Sequence, residues 1–276
     1  MEVSSSRKYY RPIVKKVTRE WVRDNCKYIT ERDMGLIRLI KDRRILRRDQ
    51  IERLYPEFAS TDRLNKRLKL LYQKHIIDKI YPTVGLGQGS SQQHICLDKA
   101  GQILLDLENY TKPIYYTEQG ARSMRQGWEH RVMINEYECR IKEVVKEIGG
   151  TVTIYEVEKK HNYNDTKIIP DIFCFIKYNG KGYPLFVEVD LATETVQQLK
   201  DKTDSYREYF LSKSWLKQPW TKVFKSPSFP RILLFTEEGL TKRKDSVTKY
   251  TDEWSLRFII GSHSEFKNRL ESILKG

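Results

Sequence analysis

Residues 168–194 read IIPDIFCFIKYNGKGYPLFVEVDLATE, and this stretch decides the fold of the C-terminal half. Two apolar, β-rich runs flank the turn Tyr178-Asn179-Gly180-Lys181-Gly182, so the segment reads as a hairpin. Asp171 stands at the start of the first run, and Glu188 and Asp190 at the end of the second. Side chains alternate faces along a strand, so Glu188 and Asp190 point the same way, and Asp171 can meet them across the pair. Three carboxylates at one sheet end repel one another unless protonated or neutralised. A hard divalent cation, Mg²⁺ or Mn²⁺, takes oxygen ligands and relieves that repulsion. In such a site the ion activates water and stabilises charge on a scissile phosphate. Asp171, Glu188 and Asp190 are therefore the expected metal ligands.

Outward from the hairpin, the pattern predicts a long amphipathic helix over 128–148. Ile134, Tyr137, Ile141, Val144, Val145 and Ile148 form its apolar stripe, and Gly149-Gly150 end it. A strand is expected over 151–157, a second helix over 195–210, short strands over 231–235 and 256–260, and a closing helix over 264–274. The order predicts an α/β sandwich with a mixed central sheet flanked by helices. On the second helix, Glu194, Gln198, Lys202 and Tyr206 follow at i+4 spacings along one face.

Pro170-Asp171, the hairpin, Glu188-Val189-Asp190 and the following helix resemble the PD-(D/E)xK nuclease superfamily. The resemblance covers about residues 128–236. It implies a restriction-endonuclease-like fold and a divalent-metal-dependent DNA nuclease. It also places Glu136 where that superfamily carries an occasional helical carboxylate. Asp190 departs from the pattern, because it occupies the lysine position. Some members carry the lysine on the next helix, or a Gln-x-x-x-Tyr motif there, which makes Lys202 the candidate replacement and Lys200 the second. Without a working lysine the same fold serves as a binding platform, so an endonuclease or nickase and a catalytically inactive accessory factor are both open.

The N-terminal half carries three helical patterns, one around Met34, Ile37, Ile40 and Ile45, a second over 48–55 stopped by Pro56, and a third after Ser60-Thr61. In the third, Leu64, Leu68, Leu71 and His75 share a face, while Arg63, Lys66, Arg67 and Lys74 fall mostly elsewhere. A strand, a Gly/Ser-rich loop over 82–91 and a second strand follow. This is the order of a winged helix-turn-helix, whose third helix enters a major groove of double-stranded DNA. Arg63, Lys66, Arg67 and Lys74 are its expected DNA contacts. The glycines are not a P-loop, since no Gly-Lys-Ser/Thr follows. The two-domain reading is a basic arm over 1–30, the winged helix over 31–109, a linker over 110–127 and the nuclease-like domain over 128–276.

Charge supports a polyanionic partner. The formal net charge is +14. Residues 1–80 hold 22 Lys+Arg and 11 Asp+Glu, so 22 − 11 = +11 of the excess lies there. No apolar run is long enough to span a bilayer, and the N-terminus lacks the apolar stretch of a signal peptide, so no membrane partner and a cytoplasmic location are expected. Cys26, Cys96, Cys139 and Cys174 form no CxxC pair, which argues against zinc or a disulfide scaffold. His130, His161 and Asp165 are weaker candidates to approach the carboxylates, since loop and helix-start histidines are usually solvated or capping. Trp215, Trp220 and the run Lys242-Arg243-Lys244 read either as an extension of the DNA surface or as an ordinary surface loop. Tyr163, Tyr206 and Tyr209 do not stand out among 17 tyrosines.

The stretches RLNKRLKLLYQKHIIDKI, WEHRVMINEYE and PDIF…LFVEVDLATET…LKDKTDSY together resemble the replication-relaxation proteins of Gram-positive plasmids and other mobile elements. That resemblance implies a part in plasmid replication or in relaxing DNA for conjugal transfer. In the inactive-platform reading, the nuclease-like domain forms a homodimer or docks a relaxase or replication initiator. A transcriptional regulator acting through the winged helix alone is the third reading.

Overall fold

The computed structural model of the protein describes residues 11–80, 93–108, 127–163, 166–223, 227–252 and 258–276. The chain divides into two units, Met1–Glu136 and Tyr137–Gly276.

In the first unit, α1 (Arg19–Asn25) starts at Thr18, whose side chain accepts from the Trp21 amide at 3.1 Å. α2 (Glu31–Arg43) starts at a reciprocal capping box between Thr30 and Asp33. β1 (Ile45–Arg47), α3 (Arg48–Leu54) and α4 (Thr61–Gln73) follow, then β2 (Ile77–Ile80), β3 (His94–Leu97) and α5 (Lys99–Leu107). The strands form an antiparallel sheet in the order β1-β3-β2. Leu64, Leu68 and Leu71 of α4 are buried in the same core cluster as Leu36, Ile37 and Ile40 of α2, which fixes α4 by its apolar stripe. The expected arm over 1–30 is partly core: Val22 of α1 is 1% exposed in this cluster. The loop expected over 82–91 and the linker over 110–126 lie outside the described residues, as does the start of the arm.

The expected boundary at residue 128 moves into the next helix, α6 (Trp128–Glu147). Val132 packs with Ile45 and Cys96, and Asn135 Nδ2 donates to the Ile45 carbonyl at 2.6 Å. The start of α6 is therefore held by the first unit's own strand.

In the second unit, α6 ends at Gly149, whose φ of +76° is the left-handed conformation that suits glycine. β4 (Thr151–Val157) leads to a small hairpin, β5 (His161–Tyr163) and β6 (Thr166–Ile168), which the patterning did not anticipate. β7 (Ile172–Tyr178) and β8 (Lys181–Asp190) turn at Asn179-Gly180, both at positive φ, the geometry a two-residue hairpin demands. α7 (Val196–Leu211) starts at a Thr195/Gln198 capping box. β9 (Arg231–Thr236), α8 (Thr241–Thr251), β10 (Phe258–Ser262) and α9 (Phe266–Lys275) complete the chain. The five-stranded sheet runs β10-β9-β8-β7-β4 and is mixed, with β8, β9 and β10 parallel and β4, β7 and β8 antiparallel. It matches the expected mixed sheet flanked by helices.

One sheet face is aromatic. Phe173 and Phe186, paired across the hairpin, pack with Tyr206, Tyr209, Trp215 and Trp220. The two tryptophans stack at 6.2 Å and are 7% and 4% exposed, so they are core and not a DNA surface. Among the described residues no helix is long and apolar enough to cross a membrane.

Candidate active site

The hairpin register decides which carboxylates meet. Phe173 pairs with Phe186 and Ile172 with Val187, so Asp171 falls beside Glu188 at the open end. Alternation then puts Asp171, Phe173, Phe186, Glu188 and Asp190 on one face. That face is the one α7 covers. All three carboxylates are buried.

Glu188 is the centre of the constellation. Tyr206 Oη donates to Glu188 Oε1. Lys202 Nζ lies 3.2 Å from Glu188 Oε2, an ion pair rather than a well-directed hydrogen bond, and 3.1 Å from Glu194 Oε1. Lys202 and Tyr206 are one helical turn apart, which is why both reach the same carboxylate. Gln198, on the same stripe, is used by the cap: its side chain accepts from the Thr195 amide at 2.6 Å. Lys200 points elsewhere, with Nζ 5.1 Å from the centre of the Tyr250 ring.

Burial, and then the neighbouring Asp171 charge, push the Glu188 carboxyl up to about 8, while Lys202 and the Tyr206 hydroxyl pull it back. Burial disfavours the Lys202 ammonium, but Glu188, Asp171 and Glu194 override it and hold the lysine protonated. Asp171 Oδ2 accepts from the Val189 amide at 2.7 Å, which fixes its carboxylate against the hairpin.

Asp190 does not join this cluster as a metal ligand. Arg243 binds it bidentately, Nε to Oδ2 at 2.7 Å and Nη2 to Oδ1 at 2.8 Å. Thr236 Oγ1 donates to Oδ2 at 2.8 Å and the Ala192 amide to Oδ1 at 3.0 Å. Four donors fill the carboxylate's acceptor sites, leaving no lone pair directed at a cation. The expectation that Asp190 is a metal ligand is corrected by this clamp. Sequence reading missed Arg243 and Thr236. The signal was the parallel pairing of β8 and β9, which puts Thr236 opposite Asp190 and starts the connection to Arg243 at the same sheet edge. Lys242-Arg243-Lys244 is thus the first turn of a helix and not an incidental loop.

Glu136 is engaged within the first unit. Arg53 Nη1 lies 2.9 Å from both its oxygens, Arg47 Nη2 is 2.6 Å from Oε2, and Gln50 Nε2 donates to Oε2 at 3.3 Å. Burial alone would raise its pKa, but Arg53, Arg47 and Gln50 leave it below the usual carboxylate range. The expected role as a helical active-site carboxylate gives way to that of counter-ion to two arginines.

The expected DNA contacts on α4 separate into two groups. Arg63 and Lys66 are exposed. Arg67 binds the fully buried Asp33 and the Tyr28 carbonyl, and Lys74 Nζ donates to the Asn25 carbonyl. These two cations tie α4 to the elements before it. His161 is buried edge-on against Phe173 and Phe186.

The divalent cation expected from the sequence would have to be held by the residues present. Among the described residues no group of three or more His, Cys, Asp or Glu side chains is placed to hold a metal. Two do fit: Asp171 and Glu188 are adjacent and repel each other, and Mg²⁺ is commonly held by one or two carboxylates with water and substrate phosphate filling the rest.

Residues 37–225 match the replication-relaxation family, and the chain belongs to that family. The match takes in α4, the hairpin and Lys202, and stops short of Arg243. Two similar solved structures are both of restriction endonuclease FokI. The first has a TM-score of 0.32 and 14% identity over 87% of this chain and 43% of that one. The second, FokI bound to DNA, has a TM-score of 0.33 and 14% identity over 95% of this chain and 46% of that one. The chain therefore spans less than half the length of the FokI chains it matches. No curated protein matches it.

Proposed function

We propose that this replication-relaxation protein is a two-unit DNA-binding enzyme. Its second unit, restriction-endonuclease-like, nicks or cuts DNA with Mg²⁺ or Mn²⁺. Its first unit, a winged helix-turn-helix, holds the duplex. The observation that carries the reading is Lys202, delivered by α7 to within 3.2 Å of Glu188, with Asp171 beside them.

Each group has a distinct task. Asp171 and Glu188 would hold the cation, which when bound would supply Lewis-acid polarisation of a phosphoryl oxygen and a more acidic water. Tyr206 fixes the rotamer of Glu188 through its hydroxyl. Lys202 stays protonated, so it acts as a fixed positive charge toward the phosphate and not as a general base. Its side chain is 29% exposed where Glu188 is 3%, so of these two the lysine is the more accessible to an incoming phosphate. The helix–strand order α2-β1-α3-α4-β2-β3 and the basic surface of α4 support the winged-helix assignment. The family match supports a role in replication or relaxation of DNA, and the setting we propose for it is a plasmid or other mobile element.

The direct test is nicking of supercoiled plasmid with Mn²⁺. Wild type is expected to nick, and Asp171→Ala and Glu188→Ala to lose activity by at least about 100-fold while still binding DNA. Cleavage unchanged in both variants rules the site out. The saturated Asp190 favours a second reading, an inactive nuclease-like accessory factor or a regulator working through the first unit. That reading predicts intact DNA binding with no cleavage by wild type.

A further inference from the structure

On α4, with Arg67 and Lys74 turned inward, a different set of cations faces outward. A cavity of about 340 Å³ is lined by Asn65, Lys66 and Lys69 of α4, Lys79 of β2, and Gln93 just before β3. Lys66 and Lys69 are neighbours at i,i+3 on the helix. Lys79 comes from the adjacent strand, its Nζ 5.2 Å from the centre of the Tyr72 ring. No carboxylate lines the cavity among the described residues. Asp78, next to Lys79, is turned to Arg11 at 3.3 Å. Burial, and then the Lys69 charge, work against the Lys79 ammonium, and an anion placed beside it would offset both. Three ammonium groups and two side-chain amides supply a set of N–H donors suited to the oxygens of a phosphate.

We infer that this cavity is a phosphate-binding site that receives a backbone phosphodiester of DNA. The anion chemistry stands on the cavity, and the choice of DNA as the source rests on the DNA-binding reading above. The site moves the contact surface of α4 away from Arg67 and Lys74, toward Lys66, Lys69 and Lys79.

The test uses the full chain with Lys69→Gln, Lys79→Met and the double variant; methionine keeps a long stem over Tyr72, and Lys69 is exposed, so its variant keeps the fold. Duplex affinity is measured between about 50 and 200 mM salt, with Lys275→Gln as control. Each lost lysine should lower the slope of log affinity against log salt by about 1, with the control unchanged. In a second arm, thermal midpoints are compared in inorganic phosphate and in chloride at equal ionic strength. A midpoint raised by phosphate in wild type and not in the double variant, with an unchanged DNA slope, supports the anion site and overturns the phosphodiester assignment. Wild type that binds DNA with a slope unaltered in the double variant, and no phosphate effect, overturns the site and leaves the DNA-binding reading standing. Wild type without DNA affinity overturns that reading, and the phosphate arm then decides the cavity by itself.

Discussion

At the scale of residues, the two acidic positions on β8 have different fates because they have different neighbours. Glu188 faces another carboxylate and a lysine; Asp190 faces Arg243 and Thr236. Removing one partner of a buried pair leaves the other uncompensated, so Asp190→Asn and Arg243→Met should each cost about 3 kcal/mol. Replacing both with apolar residues should cost less than the two single changes added together, read as denaturation midpoints in a double-mutant cycle. Glu188 responds to pH in the opposite sense from an ordinary acidic residue. Its folded pKa lies above the unfolded value, so its contribution is fully present below about 4.5 and lost as pH rises toward about 8. Glu188→Gln should therefore flatten the fall in stability over that window. Added Mn²⁺ should stabilise wild type more at pH 8 than at pH 6, because the cation competes with the proton on Glu188. The sequence made Asp171, Glu188 and Lys202 legible, since hairpin alternation and helical spacing are local rules. Asp190's true partner was not legible, because Arg243 lies 53 residues on and reaches it only through the parallel pairing of β9.

At the scale of elements, glycine in α5 gives a test with a reversed sign. Gly101→Ala would ordinarily favour a helix by about 1 kcal/mol. Here the added Cβ would sit 2.3 Å from the Ile76 carbonyl oxygen and 2.5 Å from Leu97 Cδ1. The backbone oxygen cannot step aside cheaply, so the substitution should destabilise the protein by about 1–3 kcal/mol. Urea midpoints will decide it, and a rise in stability would mean that α5 and the strand approach are looser than described. The long helices and the central hairpin were legible from periodicity and the Asn-Gly turn. β5–β6 was missed because its strands are three residues each, too short for alternation to register. α8 was missed because its sequence, TKRKDSVTKYT, presents little apolar stripe. The domain boundary was misplaced because α6 reads as one helix, while its first turns answer to Ile45, Arg47 and Arg53.

At the scale of the whole molecule, the first unit carries a set of carboxylates whose stabilisation is lost in acid, and the second carries one, Glu188, whose contribution is lost in alkali. In the first, Asp33, Asp49 and Glu136 all lie below their ordinary pKa values, because arginine partners overcome the effect of burial. Their stabilisation is present above the unfolded carboxylate range and lost as pH falls through the folded values. In the second, Glu188 loses its contribution as pH rises. Hydrogen exchange on the full chain should show protection in α2 and α3 falling in acid and protection around the 172–190 hairpin falling above neutrality.

The central claim is that the lysine missing from β8 is supplied by α7, so that Asp171, Glu188 and Lys202 form one site. The most direct measurement is Mn²⁺-dependent nicking of supercoiled plasmid by wild type, Asp171→Ala and Lys202→Ala, each checked for DNA binding and fold. Equal and near-complete loss in both variants, from an active wild type, is the predicted result. Full activity in Lys202→Ala, or no cleavage by wild type under any metal while DNA binding persists, would contradict it.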